Sequence, residues 1–375
     1  MQAETYEVKL DDFFKTTIEK MELLGATRLN KSRTDFIQCF VNALIVSRSV
    51  QFTEVAAKMT GVATEQSKHR QIQRFIGEYE LDYEWISLLI LLLLPQKGKK
   101  KLVMDRTNWS FGSHKHNILV VSVYSHGIGV PIWFEVLDSN GGNSSCEDRM
   151  YVLLKCIEIL GKDQIHSIIA DSEFIGTEWI NFLIEQKIIF FIDVRSNQYV
   201  IHQGKQKKIT HWLGQKKKLV LNSIKIFDQY LGIAIKKQAN DKRKTILAIV
   251  TNALAKDALN QYRSRWSIET LFNKLKKNGF RLEDTHLREP ERLRKLFALV
   301  AIGFTLCFLV GLAEHNKKNI VLKNHGYKTV SFFRNGLNFI RKALKNNLKI
   351  DNDSVFGFIL NIVNYNFNHM TKIVM

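Results

Sequence analysis

The sequence predicts an α/β protein of the α+β kind: a strand-and-helix core interrupted by a mostly β insertion and flanked by N- and C-terminal helical regions. Three observations carry this. Apolar positions recur at helical spacing through the first hundred residues, and the period switches to strands at Lys101. The strand-rich stretch then reads β-β-β-α-β-α-β as far as Val194. From Arg195 to Thr245 short apolar runs alternate with basic turns, before helical spacing returns.

At 375 residues and 45% hydrophobic, the chain is long enough for a sizeable core and two or three domains. Lys and Arg outnumber Asp and Glu by 55 to 36, giving +19, the electrostatic footprint of a polyanion partner. Nucleic acid is expected before an anionic membrane. The four cysteines form no Cys-x2-Cys pair and are too few for a disulfide framework, which points to a reducing cytoplasm and no structural zinc. The acidic N-terminal stretch MQAETYEVKLDDF does not read as a signal peptide. No phosphate-binding glycine loop is present, so no nucleotide cofactor is expected.

In chain order, Thr34-Asp35 and Thr53 read as helix starts. Lys68, His69, Arg70 and Arg74 follow on a basic helix, and a short helix, a turn and a basic helix suit a DNA-end-binding module; a plain bundle with solvated charges is the alternative. Leu88 to Leu94, Pro95 and the linker Gln96 to Lys101 mark a boundary. Three strands come next: Leu102 to Met104 running into Asp105, Ile118 to Tyr124, and Val130 to Leu137. A helix Glu147 to Leu160, a strand His166 to Ala170 ending at Asp171, a helix Phe174 to Gln186 and a strand Ile188 to Val194 complete the set. His114 and His116 read as solvated turn residues, with no third ligand nearby in sequence.

The insertion, Arg195 to Thr245, holds 13 Lys or Arg against Asp228 and Asp241, a local balance of +11. Lys207, Lys208, Lys216, Lys217 and Lys218, with Tyr199, Trp212 and Tyr230 interleaved, suit phosphate contact and base stacking. A solubilising charged hairpin is the alternative. Leu296 to Leu312 is 17 apolar residues with two glycines, at the short edge of the spanning range, and reads as a buried core helix. Phe332 to Leu344 and Val355 to Asn364 predict a C-terminal helical pair.

The densest constellation lies in Asn260 to Phe280, where nothing breaks a helix before Gly279. Tyr262, Arg265, Glu269 and Lys276 fall at offsets of three, seven and fourteen residues, which on a regular helix puts them within an arc of about 60°. By itself this is an amphipathic helix with a charged face. The order β-β-β-α-β-α-β, with Asp105 ending the first strand and Asp171 the fourth, resembles the ribonuclease-H-like core, in which those strands are neighbours. The spacing Tyr-x2-Arg-x3-Glu-x6-Lys resembles the signature of DDE transposases of bacterial insertion sequences, in the insertion-sequence-four family. Asp105-Arg106-Thr107-Asn108-Trp109 resembles that family's first motif, and Asp171-Ser172-Glu173-Phe174 with Trp179 its second. Arg106 is a departure, because other groups of the family have Thr there.

The resemblance implies a metal-holding catalytic triad of Asp105, Asp171 and Glu269, with Tyr262, Arg265, Trp266 and Lys276 on the DNA. It implies two Mg²⁺ ions, replaceable by Mn²⁺, and double-stranded DNA as partner, both element ends and target. A homodimer in the DNA complex, no membrane, and action in the bacterial cytoplasm at the nucleoid complete the expectation. The chemistry agrees with the residue types: hard cations take oxygen ligands, and two metals about 3.5–4 Å apart serve both the attacking and the leaving oxygen of phosphodiester cleavage. A nuclease that never joins strands and a non-catalytic DNA-binding relative are the other readings. The expected domains are 1–99 (DNA ends), 100–194 with 246–312 (catalytic core), 195–245 (insertion) and 313–375 (helical).

Overall fold

The computed structural model describes residues 4–95, 97–137, 142–238, 246–324, 326, 328–346, 349–350 and 355–374. Gln96 of the expected linker and 239–245 of the expected insertion lie outside the described residues.

The chain opens with a two-residue strand, β1 (Glu4–Thr5), and five helices: α1 (Tyr6–Leu23), α2 (Lys31–Ser47), α3 (Phe52–Ala56), α4 (Glu65–Glu78) and α5 (Tyr83–Leu92). Short polar side chains cap three of them: Asn30 accepts from the Ser32 N–H, Thr64 from Ser67 and Asp82 from Trp85. The second helix thus begins upstream of Thr34-Asp35, and the Thr34 hydroxyl instead donates to the Lys31 carbonyl.

Next come β2 (Lys100–Phe111), β3 (His114–Ser125) and β4 (Ile128–Val136), an antiparallel meander. The turn between β3 and β4 holds His126 and Gly127 at φ of 50° and 84°, a conformation that two-residue hairpins require. The expected three-residue first strand is in fact twelve residues long, because β2 runs past Asp105 as far as Phe111. Helix α6 (Cys146–Leu160) starts in a reciprocal cap between Ser145 and Asp148. It is followed by β5 (Ile165–Ala170), α7 (Thr177–Glu185) and β6 (Phe190–Asp193). Strand β5 lies parallel to β2, and β6 parallel to β5.

The insertion comprises β7 (Tyr199–His202), β8 (Lys205–Lys208), α8 (Ile209–Leu213), β9 (Lys218–Ile226) and β10 (Gln229–Lys237), leading into β11 (Ile246–Thr251). It does not stand apart from the core. Strand β11 pairs antiparallel with β6, so a single ten-stranded sheet runs β4-β3-β2-β5-β6-β11-β10-β9-β7-β8. Its first five strands, β4-β3-β2-β5-β6 with β2, β5 and β6 parallel, have the arrangement expected of a ribonuclease-H-like core, and β11, β10, β9, β7 and β8 extend the same sheet.

After the sheet come α9 (Ala258–Tyr262), α10 (Trp266–Asn273), α11 (Pro290–Lys317), α12 (Phe332–Lys345), β12 (Lys349–Ile350), which pairs with β1, and α13 (Val355–Val374). Helix α11 is the spine. Its most apolar window has a mean hydropathy of 2.6 and is wholly buried, the packing expected of a core helix. Helix α12 crosses it closely at two glycines: a Cβ on Gly336 would stand 1.9 Å from the Cys307 carbonyl oxygen, and one on Gly311 would stand 1.7 Å from that of Phe332. Asn366 of α13 donates to the carbonyls of Leu91, Leu92 and Leu94, satisfying the end of α5. N-terminal helices, core and C-terminal helices thus share one apolar cluster.

Candidate active site

The two aspartates are brought together by strand register. Met104 of β2 lies beside Ala170 of β5, so the next residue of each parallel strand, Asp105 and Asp171, is a lateral neighbour. Strand β5 ends there because Asp171 Oδ1 accepts the Glu173 N–H at 2.8 Å, a local turn bond that competes with the ladder. Phe174, fully buried, anchors that turn. Asp105 Oδ1 accepts the Arg106 N–H at 2.8 Å.

Glu269 reaches the pair through an intermediary. The Arg265 guanidinium donates to Glu269 and lies 3.7 Å from Asp105 Oδ2, a cation between two carboxylates. Among the described residues no three His, Cys, Asp or Glu side chains converge closely enough to hold a metal ion. The donor set nevertheless fits hard divalent cations, being all carboxylate oxygen whose mutual repulsion a bound cation relieves. Burial, with the neighbouring Asp171 charge, pushes the Asp105 carboxyl up to about 7, against the pull of Arg265.

That shift has a measurable sign. An unfolded Asp titrates near pH ~4, so between about pH 4 and 7 the folded chain keeps a proton that the unfolded chain has lost. The contribution of Asp105 to stability is complete below that range and is lost as pH rises through 7. Asp105→Asn, which carries no charge at any pH, should therefore stabilise the metal-free protein by roughly 2–4 kcal/mol at pH 8. Most of that gain should vanish near pH ~4.5. Thermal unfolding in chelator at both pH values checks it, and an equal gain at both would remove Asp105 as the source.

A cleft of about 600 Å³ opens beside these residues. Asp171, Asp193, Glu269 and Tyr262 line it, together with Lys218, Lys236, Lys256 and Arg263. Tyr262 is buried, which drives its hydroxyl well above its ordinary range and keeps it a phenol. Trp266 is 67% exposed at the cleft, with the Arg265 guanidinium 5.8 Å from its ring centre.

Lys276, expected on the same face, is elsewhere. Its Nζ donates to the Asn108 carbonyl and pairs with Glu283 at 3.2 Å, and burial lowers its pKa. The expected regular helix is the reason for the difference. Between α9 and α10 the chain tightens into a 3₁₀ turn, Arg263–Arg265, and beyond α10 it widens into a π turn, Lys274–Asn278. The second irregularity changes the phase, and seven helical residues separate Lys276 from Glu269 by about 10 Å along the axis.

The other expected DNA contacts lie on outer surfaces. Arg70 and Arg74 are exposed on α4 and share a hollow with Arg292 of α11. Lys207 and Lys208 lie on the edge strand β8, and Lys216 and Lys217 on the exposed turn before β9. Lys218 lines the cleft. His114 and His116, expected to be solvated turn residues, belong to β3; His116 is buried against Trp109, and burial with the nearby His114 lowers its pKa to about 4.

Sequence reasoning missed Asp193, buried at the end of β6. It terminates a core strand as Asp171 follows one, and that recurring acid was the available signal. Also missed was a pairing between residues close to the two aspartates: Arg106 grips Glu173 with Nε and Nη2 and also donates to Asn117 and the Gly142 carbonyl.

Comparison with known proteins places this geometry in a family. Residues 96–306 match the family described as the transposase DDE domain. No curated protein matches the chain. Among solved structures, a piggyBac transposase synaptic complex with hairpin DNA is similar at 13% identity over 94% of this chain and 82% of that one, with a TM-score of 0.42. Human ENDOV is similar at 9% identity over 62% of this chain and 93% of that one, with a TM-score of 0.28. With more than half of its length inside the matched domain, the chain belongs to the transposase DDE domain family.

Proposed function

We propose that this protein is a DNA transposase of the insertion-sequence-four type, carrying the Tyr-Arg-Glu-Lys signature, which acts as a homodimer on its element's terminal inverted repeats, cleaves the ends and joins the 3′ ends to target DNA. The setting is the bacterial cytoplasm. One observation carries the reading: Asp105 and Asp171 are neighbours on adjacent parallel strands, Arg265 links Asp105 to Glu269 of the signature helix, and Asp171 and Glu269 line a cleft that Lys218, Lys236, Lys256 and Arg263 also line. Asp105, Asp171 and Glu269 would hold two Mg²⁺ or Mn²⁺ ions. When bound, such ions supply an activated nucleophile and a stabilised leaving oxygen.

The chain's own side chains bind and orient. Lys218, Lys236, Lys256 and Arg263 hold the phosphate backbone along the cleft. Arg265 is fixed between Asp105 and Glu269, and its fork suits a phosphate beside the carboxylates. Trp266 offers an exposed ring at the cleft, and Tyr262 lines the same cleft with the little of its side chain that is accessible. In this reading 1–99 docks the element end through Arg70 and Arg74, and Lys207, Lys208 and Lys216 to Lys218 of the insertion add phosphate contacts. Lys276 contributes through Glu283 and the Asn108 carbonyl, by seating the end of the signature helix on β2. A strand-transfer assay with the DNA flanking the encoding gene tests the whole proposal. Joined products support it; ends that are cut but never joined would reduce it to a nuclease.

Neutralising Lys216, Lys217 and Lys218 together should weaken binding to every DNA sequence. At about −0.9 in log–log salt slope per phosphate contact, the slope should flatten by up to roughly three units. Sequence preference should barely change, since phosphates position and do not specify. Titrations at several salt concentrations measure both, and an unchanged slope would return this turn to a solubilising role.

A further inference from the structure

A second concentration of positive charge lies outside both the cleft and the insertion. From His315 to Ile350 the sequence holds seven Lys and two Arg against no Asp or Glu, a local balance of +9. The two arginines, Arg334 and Arg341, stand seven residues apart on α12, which is two turns and therefore one face. That face is tied to two other segments. Arg334 Nη2 donates to the carbonyl of Asn278, at the end of the signature helix, and Arg341 Nε donates at 3.2 Å to the carbonyl of Val46, at the end of α2.

Each of those segments brings a cation of its own. Lys274 lies four residues before Asn278 and has Arg334 as its charged neighbour. Arg48 closes α2 in the left-handed conformation, at φ 60° and ψ 31°, which residues other than glycine adopt uncommonly. It stands within electrostatic reach of both Arg334 and Arg341, and its Nε is buried without a hydrogen-bond partner. All four residues are half-buried. Burial and then the positive neighbours lower the pKa of Lys274, Arg334 and Arg341, so the fold holds like charges together against their repulsion.

Among the described residues no carboxylate pairs with any of the four. The nearby acids are engaged elsewhere, Glu283 with Lys276 and Asp284 with Arg281. The carbonyl end of a helix supplies only about half a negative charge. Cations that are anchored, crowded and unpaired suit an anion that arrives from outside, and the guanidinium fork matches phosphate oxygens. A small ion would neutralise the cluster alone. A polyanion also meets Lys342 and Lys345, exposed farther along α12, which favours a nucleic-acid backbone. The place is not the cleft: none of the four lines it, and at about 100° per residue Lys274 projects roughly 140° away from Glu269.

We propose that Arg48, Lys274, Arg334 and Arg341 form a phosphate site for duplex DNA outside the catalytic cleft, on the far side of the signature helix. The transposase reading enters only in naming DNA as the polyanion.

The test uses the full-length protein and a blunt duplex of arbitrary sequence, with affinity measured at several salt concentrations. Arg334→Gln with Arg341→Gln should flatten the log–log salt slope by roughly two units and weaken binding at low salt by about tenfold. Lys274→Gln breaks no hydrogen bond among the described residues and should flatten the slope by about one unit, so the outcome does not hang on the folding of the double variant. Arg334→Lys with Arg341→Lys keeps both charges and should keep most of the slope. Unchanged slopes in the two Gln variants overturn the site. A flattening that disappears once Lys216, Lys217 and Lys218 are neutralised would move these phosphates to the cleft and overturn it too. With the slopes unchanged, two further results would also overturn it: inorganic phosphate raising the melting temperature of wild type alone, the mark of a small-ion site, or oligoglutamate binding wild type alone, the mark of a protein interface. Cutting and joining with unchanged slopes sinks this site alone; flattened slopes in a protein that neither cuts nor joins sink the transposase reading alone.

Discussion

Asp171→Ala should abolish cleavage of element ends, by on the order of a thousandfold or more, while end binding stays within a few-fold of wild type. The separation follows from position. Asp171 lines the cleft, next to Asp105 across two parallel strands, whereas the charge that attracts DNA is carried by lysines and arginines of the cleft and of outer surfaces. Removing a negative charge cannot weaken attraction for a polyanion, and it takes away a ligand of the two divalent ions. Asp105→Ala and Glu269→Ala should behave alike, and Mn²⁺ should not fully restore any of the three. Gel analysis of nicked, cut and joined products, beside a binding titration, makes the comparison. Normal cutting by Asp171→Ala would mean that the triad has been misassigned.

The core is legible in the sequence because its signals are local. Apolar runs bounded by turns mark the core strands, and Asp171, at the end of one of them, marks the cleft. Other features depend on contacts that a linear pattern does not encode. Strand β11 is a six-residue apolar run, ILAIVT, which periodicity cannot separate from a buried helix; only its pairing with β6 and β10 settles it. Strand β9 carries a bulge opposite Leu231 and Ile233, which breaks the alternation by which a single strand is recognised. Lys276 lies in a π turn, Lys274–Asn278, which a fixed 100° step does not anticipate and which is visible only in three dimensions. Arg106 reads as a departure from a motif, since its partner lies 67 residues away.

That partner gives Arg106 a role. Arg106 follows Asp105 and Glu173 comes two residues after Asp171, so the forked contact between them ties the two candidate metal-holding segments to each other. Its side chain is 9% exposed and that of Glu173 is 16% exposed. Ser144 adds its hydroxyl to Glu173 at 3.2 Å, and Arg149 donates to the same Ser144 hydroxyl at 2.9 Å. Breaking one side of such a buried pair leaves an uncompensated charge, at a cost of about 3–5 kcal/mol. Arg106→Met and Glu173→Met should each lower stability by roughly that amount, and cleavage by the folded fraction should fall as Asp105 and Asp171 lose their alignment. Removing both charges together, as Arg106→Met with Glu173→Met, should cost less than the sum of the single changes by about 1–3 kcal/mol, because no charge is then stranded. Denaturant unfolding of the four proteins measures the coupling, and cleavage per folded molecule separates alignment from stability. A double variant whose cost equals the sum, with cleavage per folded molecule unchanged throughout, would reduce the Arg106–Glu173 contact to an incidental ion pair and leave the alignment of the aspartates to the strand register alone.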